Sequence, residues 1–215
     1  MTDRIYVWDA FIRLFHWSLV ALFLTSYISG ENEFSFHVYS GYAIITLLLL
    51  RIIWGVMGSS HARFTDFVKR PATVLTYLKT IAQGNPKRYL GHNPAGGAMI
   101  VALILAFSLT AFSGLKLYGI EEGEGPFAMT YSKTQLAATD SEYKDDDQDE
   151  DEDEHHHGSS SHQQEADEEF WEAIHETGVS TIWLLVILHV LGVVIASRQH
   201  GESLVKAMIS GYKNR

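Results

Sequence analysis

The sequence predicts an all-α integral membrane protein, a four-helix bundle with both termini on the inner side. Three observations predict it. A mean hydropathy near zero conceals four long apolar stretches set among strongly charged segments. Each stretch approaches the roughly 20 residues a helix needs to cross a hydrocarbon core about 30 Å thick. Lysine and arginine are also divided unevenly between the two sides that four spans would define. Finally, the last stretch carries two histidines, His175 and His189, which are costly residues in a membrane and usually functional ones.

The 215 residues are read as one domain, 1–215. The first span covers about 11–29, with LFHWSLVALFLTSYIS at its heart, and Gly30 and a short turn close it. The second covers about 36–57 and holds one charge, Arg51, near its far end. A polar segment follows, containing PATVLTYLKTIAQG, where Pro71 stands at a helix start. This amphipathic piece is expected on the membrane surface. The third span, about 95–117, begins after Asn93-Pro94, a good N-cap and first-turn pair. The fourth covers about 170–197, and a short, basic, partly amphipathic tail ends the chain. No basic region leading to a small-residue cleavage site precedes the first span, so no cleavable signal peptide is expected.

Orientation follows from the basic residues. Of the 16 lysines and arginines, 13 fall in the N-terminal segment, at the end of the second span and the loop after it, or in the tail; only Lys116, Lys133 and Lys144 fall on the other side. The prediction is N-in, C-in. The extracytoplasmic loop, 119–167, contains an acidic low-complexity insert, 140–169, with DDDQDEDEDEHHHGSSSH at its centre. Such dense like charge repels itself and is expected to be a solvated, disordered flap that attracts a basic partner. Its three adjacent histidines are a weaker candidate for stray divalent metal. The outer side sums to −19 and the inner to +9, giving the net −10 of the chain.

The absence of cysteine excludes disulfides, iron–sulfur clusters, thiolate haem ligation and covalent haem attachment through C-x-x-C-H. Histidine is left as the ligand for a metal or a b haem. His175 and His189 are 14 residues apart, so on one helix they share a face to within about 40° and lie about 21 Å apart. Each has a glycine three residues on, Gly178 and Gly192, where a flat porphyrin could fit, or where helices could simply pack closely. Level matching then gives an inner pair, His16 with His189, and an outer pair, His37 with His175. Two bis-histidine b haems, stacked across the membrane, follow. Arg13 and Arg51 are near the inner level and are expected to pair with haem propionates, the competing reading being positive-inside anchoring. His92, in GHNPAGG, is placed to bond a propionate or a quinone carbonyl, or to cap a turn. Trp8, Trp17, Trp54 and Tyr212 on the inner side, with Trp171 and Tyr118 outside, read as interface aromatics. Trp183 is deeper, where it could pack on a cofactor.

At these residues the chain resembles the bacterial cytochrome b561 family, which includes the cytochrome b subunits of membrane nickel–iron hydrogenases. The runs that carry the resemblance are VWDAFIRLFHW, HVYSGYAIITLLLLRIIWGVMG, ARFTDF, YLGHNPAGG, LHVLGVVIAS and ESLVKAMISGYK. It covers nearly the whole chain outside about 119–167. It implies that His16, His37, His175 and His189 ligate two b haems, and that electrons pass between a periplasmic partner and the quinone pool of the bacterial inner membrane. The tail departs from the pattern in reading GESLV rather than an ENLV-like run, and the acidic loop is longer than usual, which leaves the partner open.

The expected function is therefore a multi-pass, di-haem b-type cytochrome, the electron-transfer subunit of a quinone-linked oxidoreductase. Its expected partners are membrane lipid, quinone, and a basic cytochrome c or a dehydrogenase or hydrogenase subunit, with no nucleic acid among them. One rival is a stand-alone quinone oxidoreductase acting on a small oxidant such as superoxide. A rival of another class is a non-haem divalent-metal carrier or sensor. That reading is disfavoured because the only carboxylates near a span interior, Glu172 and Glu176, lie at the outer edge of span four.

Overall fold

The structure, a computed structural model, describes residues 4–30, 34–84, 86–128 and 159–214, with backbone alone at 34 and 159–163. In chain order the elements are β1 (Arg4–Tyr6), α1 (Ala10–Ser29), α2 (Phe34–Met57), α3 (Phe64–Phe67), α4 (Pro71–Ala82), α5 (Pro94–Glu121), α6 (Ser159–His200), α7 (Leu204–Ser210) and β2 (Tyr212–Asn214). Four of them, α1, α2, α5 and α6, are long and apolar enough to cross a membrane. The expected amphipathic helix is α4.

The helix starts follow local chemistry. Asp9 caps α1, its Oδ1 accepting the Ile12 N–H at 2.8 Å. Asn93 caps α5, its Oδ1 accepting the Gly96 N–H at 2.7 Å, with Pro94 in the first turn where its missing N–H is harmless. At the other end of the chain, Gly211 closes α7 in the left-handed region at φ 87°. The Tyr6 ring and the Trp8 carbonyl occupy the place a Cβ would take there.

The long loop differs from its expectation at both ends. Helix α5 runs on to Glu121, and α6 begins at Ser159, so the C-terminal part of the predicted acidic insert is helical. Gln163, Gln164, Glu165, Ala166, Glu168 and Glu169 are strong helix formers that extend an already nucleated helix at little cost. The acidic centre of the insert, with His155, His156 and His157, lies outside the described residues, as do Lys133, Lys144 and Glu31–Glu33.

The chain divides into two units, Met1–Ser108 with Thr181–Arg215, and Leu109–Ser180. In the first, an apolar core draws on all four spans: Phe23 from α1, Ile44 and Leu48 from α2, Phe107 from α5 and Ile182 from α6. Outward-facing residues such as Leu24, Ile28, Ile53, Leu184 and Ile195 stay exposed, as expected of helices whose surroundings are lipid rather than water.

A second cluster closes one end of this unit, where Val7, Trp8 and Ile12 meet Ala62 and Ala207. Here β1 pairs antiparallel with β2, Ile5 opposite Lys213 and Tyr6 opposite Tyr212, so the two ends of the chain lie together. The sequence reading contained no strands. Each is three residues long, and the pairing joins the chain's extremities, which no local pattern signals. Arg13 Nη1 donates to the Ile209 carbonyl at 2.6 Å, and Arg88 reaches both Glu202 and the Asn214 carbonyl. Trp8, expected at the interface, is instead buried in this cluster.

In the second unit, α5 and α6 pack so closely that a Cβ at Gly178 would collide with Thr110 Oγ1. Ser113 is wholly buried, and Phe112 meets the rings of Trp171 and Phe127 edge-on at 5.6 and 5.5 Å.

Asp9 ties α1 to the end of α2, since its Oδ2 also accepts from Trp54 Nε1 at 3.0 Å and from the Ser59 hydroxyl. Burial would raise its pKa, but the bonds from Ser59, Ile12 and Trp54, and the charge of Arg51, outweigh burial and hold it below the usual carboxylate range. Asp9→Ala is expected to destabilise the protein by about 2–3 kcal/mol, from the lost cap and the unpaired indole. A lowered folded pKa means the carboxylate's contribution is full above its unfolded value of about 3.9 and is lost as pH falls through the folded one. Thermal unfolding in detergent should therefore show a gap between wild type and variant that is constant at neutral pH and closes in acid.

Candidate haem-binding site

Histidine on a buried helix face needs a partner for each nitrogen. His16 on α1 and His189 on α6 face each other with ring centroids 6.4 Å apart and planes at 49°. Two imidazoles on opposite sides of one metal ion, with bonds of about 2.0 Å, bring their centroids to about 6–6.5 Å. The observed spacing leaves room for one metal ion between the rings, and it also lies within the range of ordinary ring contact. His16 Nδ1 is buried with no partner, an orphaned basic nitrogen of the kind a ligand role resolves. Next to His189, a Cβ at Gly192 would meet nothing within 4 Å, so that glycine opens on free space. Gly178 does not, because Thr110 fills the place beside it. Of the two His–Gly pairs in the sequence, the outer one reflects close helix packing, whereas the glycine of the inner one is exposed and unobstructed.

Around the inner pair the first unit collects cations and aromatic rings. Arg51 is only 3% exposed and lies over the rings of Phe64, Phe67 and Phe15 at 5.1, 5.9 and 6.0 Å. Its Nη2 donates to the Ala62 carbonyl at 3.1 Å, and its Nη1 is buried without a partner. Two glycines let α3 settle here. The Phe64 ring fills the place of a Cβ at Gly55, and the Phe67 carbonyl that of one at Gly97. Arg13 is anchored to Ile209, with its Nε buried and unpartnered.

His92 stands between Trp8 and Phe67, with ring centroids at 4.4 and 4.9 Å. It caps no turn, since Asn93 does that. Its Nδ1 is buried and unpartnered. Burial first, then the charges of Arg51, Lys213, His61 and His189, push its pKa down to about 3. At neutral pH it is an uncharged imidazole within electrostatic reach of the inner pair. All of Arg13, Arg51 and His92 thus lie in the unit that holds His16 and His189.

The outer histidines fall in different units. In the first unit, His37 Nδ1 is 3.0 Å from the Ser26 carbonyl on α1. In the second, His175 Nδ1 is 3.0 Å from the Thr110 carbonyl on α5 and 3.2 Å from Ser113 Oγ. An Nδ1–H donating to a neighbouring backbone carbonyl puts the lone pair on Nε2, the tautomer and bracing that metal-ligating histidines use. The residues present therefore fit a b haem at the inner pair, and each outer histidine is oriented as a ligand would be.

Sequence reasoning missed three participants. Asp9 was hidden because a lone aspartate before an apolar run signals only a cap. Trp183 was placed correctly in depth, but its partners are aromatic: it meets Phe23 and Tyr27 at 5.4 and 5.2 Å, and its Nε1 is buried without a partner. Lys213 looked like one more basic tail residue, yet it is 7% exposed and carried over the Trp8 ring at 5.8 Å.

The family model described as prokaryotic cytochrome b561 matches residues 7–211. Among curated proteins, the "Probable Ni/Fe-hydrogenase B-type cytochrome subunit" of Azotobacter chroococcum mcd 1 is 26% identical over 243 residues, covering 97% of this chain and 88% of that one. The protein of the same name from Cupriavidus necator is 24% identical over 236 residues, covering 97% and 86%. That from Azotobacter vinelandii is 31% identical over 152 residues, covering 56% and 61%. No solved structure matches. With four membrane-crossing helices and a facing histidine pair, and with the family model spanning nearly its whole length, the chain belongs to the prokaryotic cytochrome b561 family, membrane electron-transport proteins for which haem b is the implied cofactor.

Proposed function

We propose that this chain is the di-haem cytochrome b subunit of a membrane-bound nickel–iron hydrogenase, passing electrons between an outer redox partner and membrane quinone. The observation that carries the reading is the 6.4 Å facing of His16 and His189 across α1 and α6. Support for the partner comes from the relatives, which are named as probable hydrogenase cytochrome subunits. His16 and His189 bind the inner haem, and His37 and His175 the outer one. When bound, the haems supply one-electron redox chemistry.

The chain's own residues do the rest. The apolar core around Phe23, Ile44 and Phe107 excludes water from the interior of the first unit. Ser26 and Thr110 hold the outer imidazoles in the tautomer that presents Nε2. Arg13 and Arg51 offer their unpartnered nitrogens to propionates on the inner side, and His92, neutral and buried, presents Nδ1 to a propionate or a quinone carbonyl. The paired terminal strands place both ends of the chain together, and the basic excess on that side makes it the cytoplasmic side of an inner membrane. The acidic outer face suits a basic partner surface, whether that of the hydrogenase subunit or of a cytochrome c. Among the described residues no group of three His, Asp or Glu side chains is arranged to hold a metal ion.

The test is a dithionite-reduced minus oxidised spectrum of the purified protein with a pyridine haemochrome count. Two b haems per chain are expected. His16→Ala and His189→Ala should each reduce the count to about one and remove the same spectral component. His37→Ala and His175→Ala should remove the other. Loss of both components in every variant, or no haem in a folded preparation made with ample haem, would contradict the assignment.

Charge on the outer face gives a second prediction. Reduction of the protein by a basic partner should slow about tenfold as ionic strength rises through the physiological range. Reduction by a small neutral donor should be unaffected. Equal salt dependence for both donors would remove the partner from the account, and rapid turnover with superoxide in place of any protein would favour the stand-alone oxidoreductase.

A further inference from the structure

We propose that Lys213 is an anchor for a propionate of the inner haem, so that the C-terminal strand forms part of the haem site. The inference rests on the reading of His16 and His189 as haem ligands. It starts from a charge imbalance. Arg51 and Lys213 are 3% and 7% exposed, and among the described residues neither forms an ion pair. The two nearby carboxylates act on these cations only at a distance, Asp9 on Arg51 and Glu202 on Lys213, because their oxygens are bonded to other groups. Asp9 accepts from Ile12, Trp54 and Ser59, and Glu202 is bonded to Arg88. Burying a cation without a counter-ion is strongly unfavourable. Two in one neighbourhood, beside the unpartnered Nη1 of Arg51 and Nε of Arg13, point to an anion that the chain does not supply.

Position identifies the anion. Lys213 Nζ lies over the Trp8 ring at 5.8 Å, Trp8 packs on His92 at 4.4 Å and His92 on Phe67 at 4.9 Å, and Arg51 lies over Phe67 and over Phe15, the neighbour of His16 in the chain, so the cations gather toward the inner pair. A haem brings two carboxylates to such a place. Lys213 is also held there by specific bonds and does not sample the region as a loose tail would. It is paired with Ile5 in the sheet, and Tyr6 and Tyr212 pack edge-on at 5.2 Å. Val7 and Trp8 N–H both donate to the Gly211 carbonyl, at 2.9 and 3.1 Å, and Arg88 holds the Asn214 carbonyl. Burial lowers the Lys213 pKa, with Glu202 opposing and Arg88 adding to the effect.

The experiment compares wild type with Lys213→Gln, Lys213→Met and Lys213→Arg, using Lys206→Gln as an exposed control. Each is prepared as holoprotein and, from a haem-deficient host, as apoprotein. In redox titrations, Lys213→Gln and Lys213→Met should favour the oxidised form of one haem about tenfold at fixed ambient potential, a fall of ~59 mV for a one-electron couple. The other haem should be unmoved, and Lys213→Arg should resemble wild type. Thermal stability should change in opposite directions. Removing the uncompensated cation raises the midpoint of the apoprotein and lowers that of the holoprotein.

Both potentials unchanged, or the same direction of stability change with and without haem, would overturn the proposal while leaving the haem ligands intact. Stabilisation of wild-type apoprotein, but not of Lys213→Gln, by phosphatidylglycerol nanodiscs would also overturn it, by assigning the anion to a lipid phosphate. Wild-type protein that binds no haem would instead defeat the underlying ligand assignment.

Discussion

Two imidazoles held face to face in a low-dielectric bundle set the terms for much of this structure. His16 and His189 are too far apart to bond each other and too deep for His16 Nδ1 to find water. An isolated buried polar nitrogen costs about 1–3 kcal/mol, and a histidine in a membrane adds the expense of keeping a titratable group there. A bundle that retains this arrangement is shaped around what lies between the rings. The cations near His92 make sense on the same terms. Remove the group between the imidazoles and the inner end of the bundle is left with several unsatisfied donors and surplus positive charge.

The two levels of the bundle solve the ligand problem differently. The outer histidines are braced at Nδ1 by carbonyls of neighbouring helices, Ser26 and Thr110, which already fixes ring orientation. At the inner level the bracing is electrostatic and aromatic: Trp8, Phe67 and Phe64 hold His92 and Arg51, and the chain termini fold over them. Cations near a haem raise its potential by stabilising the reduced form, so Arg51 and Lys213 would make a haem held by the inner pair, as proposed, more readily reduced.

The four spans were legible because long apolar runs have few alternatives, and the Asn93 cap set the start of the third to within a residue or two. What escaped the sequence was long-range or contextual. Nothing near Arg4–Tyr6 reveals that its partner is the far end of the chain, and so Lys213 could not be moved from tail to interior. Gly178 and Gly192 carry the same local signature, and only the presence of Thr110 beside one of them separates close packing from open space. The acidic run before span four was read as loop from its charge, whereas its Gln, Glu and Ala content favoured helix once α6 existed to extend.

The most direct test of the central claim is the low-temperature electron paramagnetic resonance spectrum of the oxidised, purified protein. Bis-histidine ligation of both haems predicts low-spin ferric signals alone, with one of them lost in His189→Ala. A dominant high-spin ferric signal in the wild-type protein, or low-spin signals unchanged by His189→Ala, would contradict the account of the facing imidazoles.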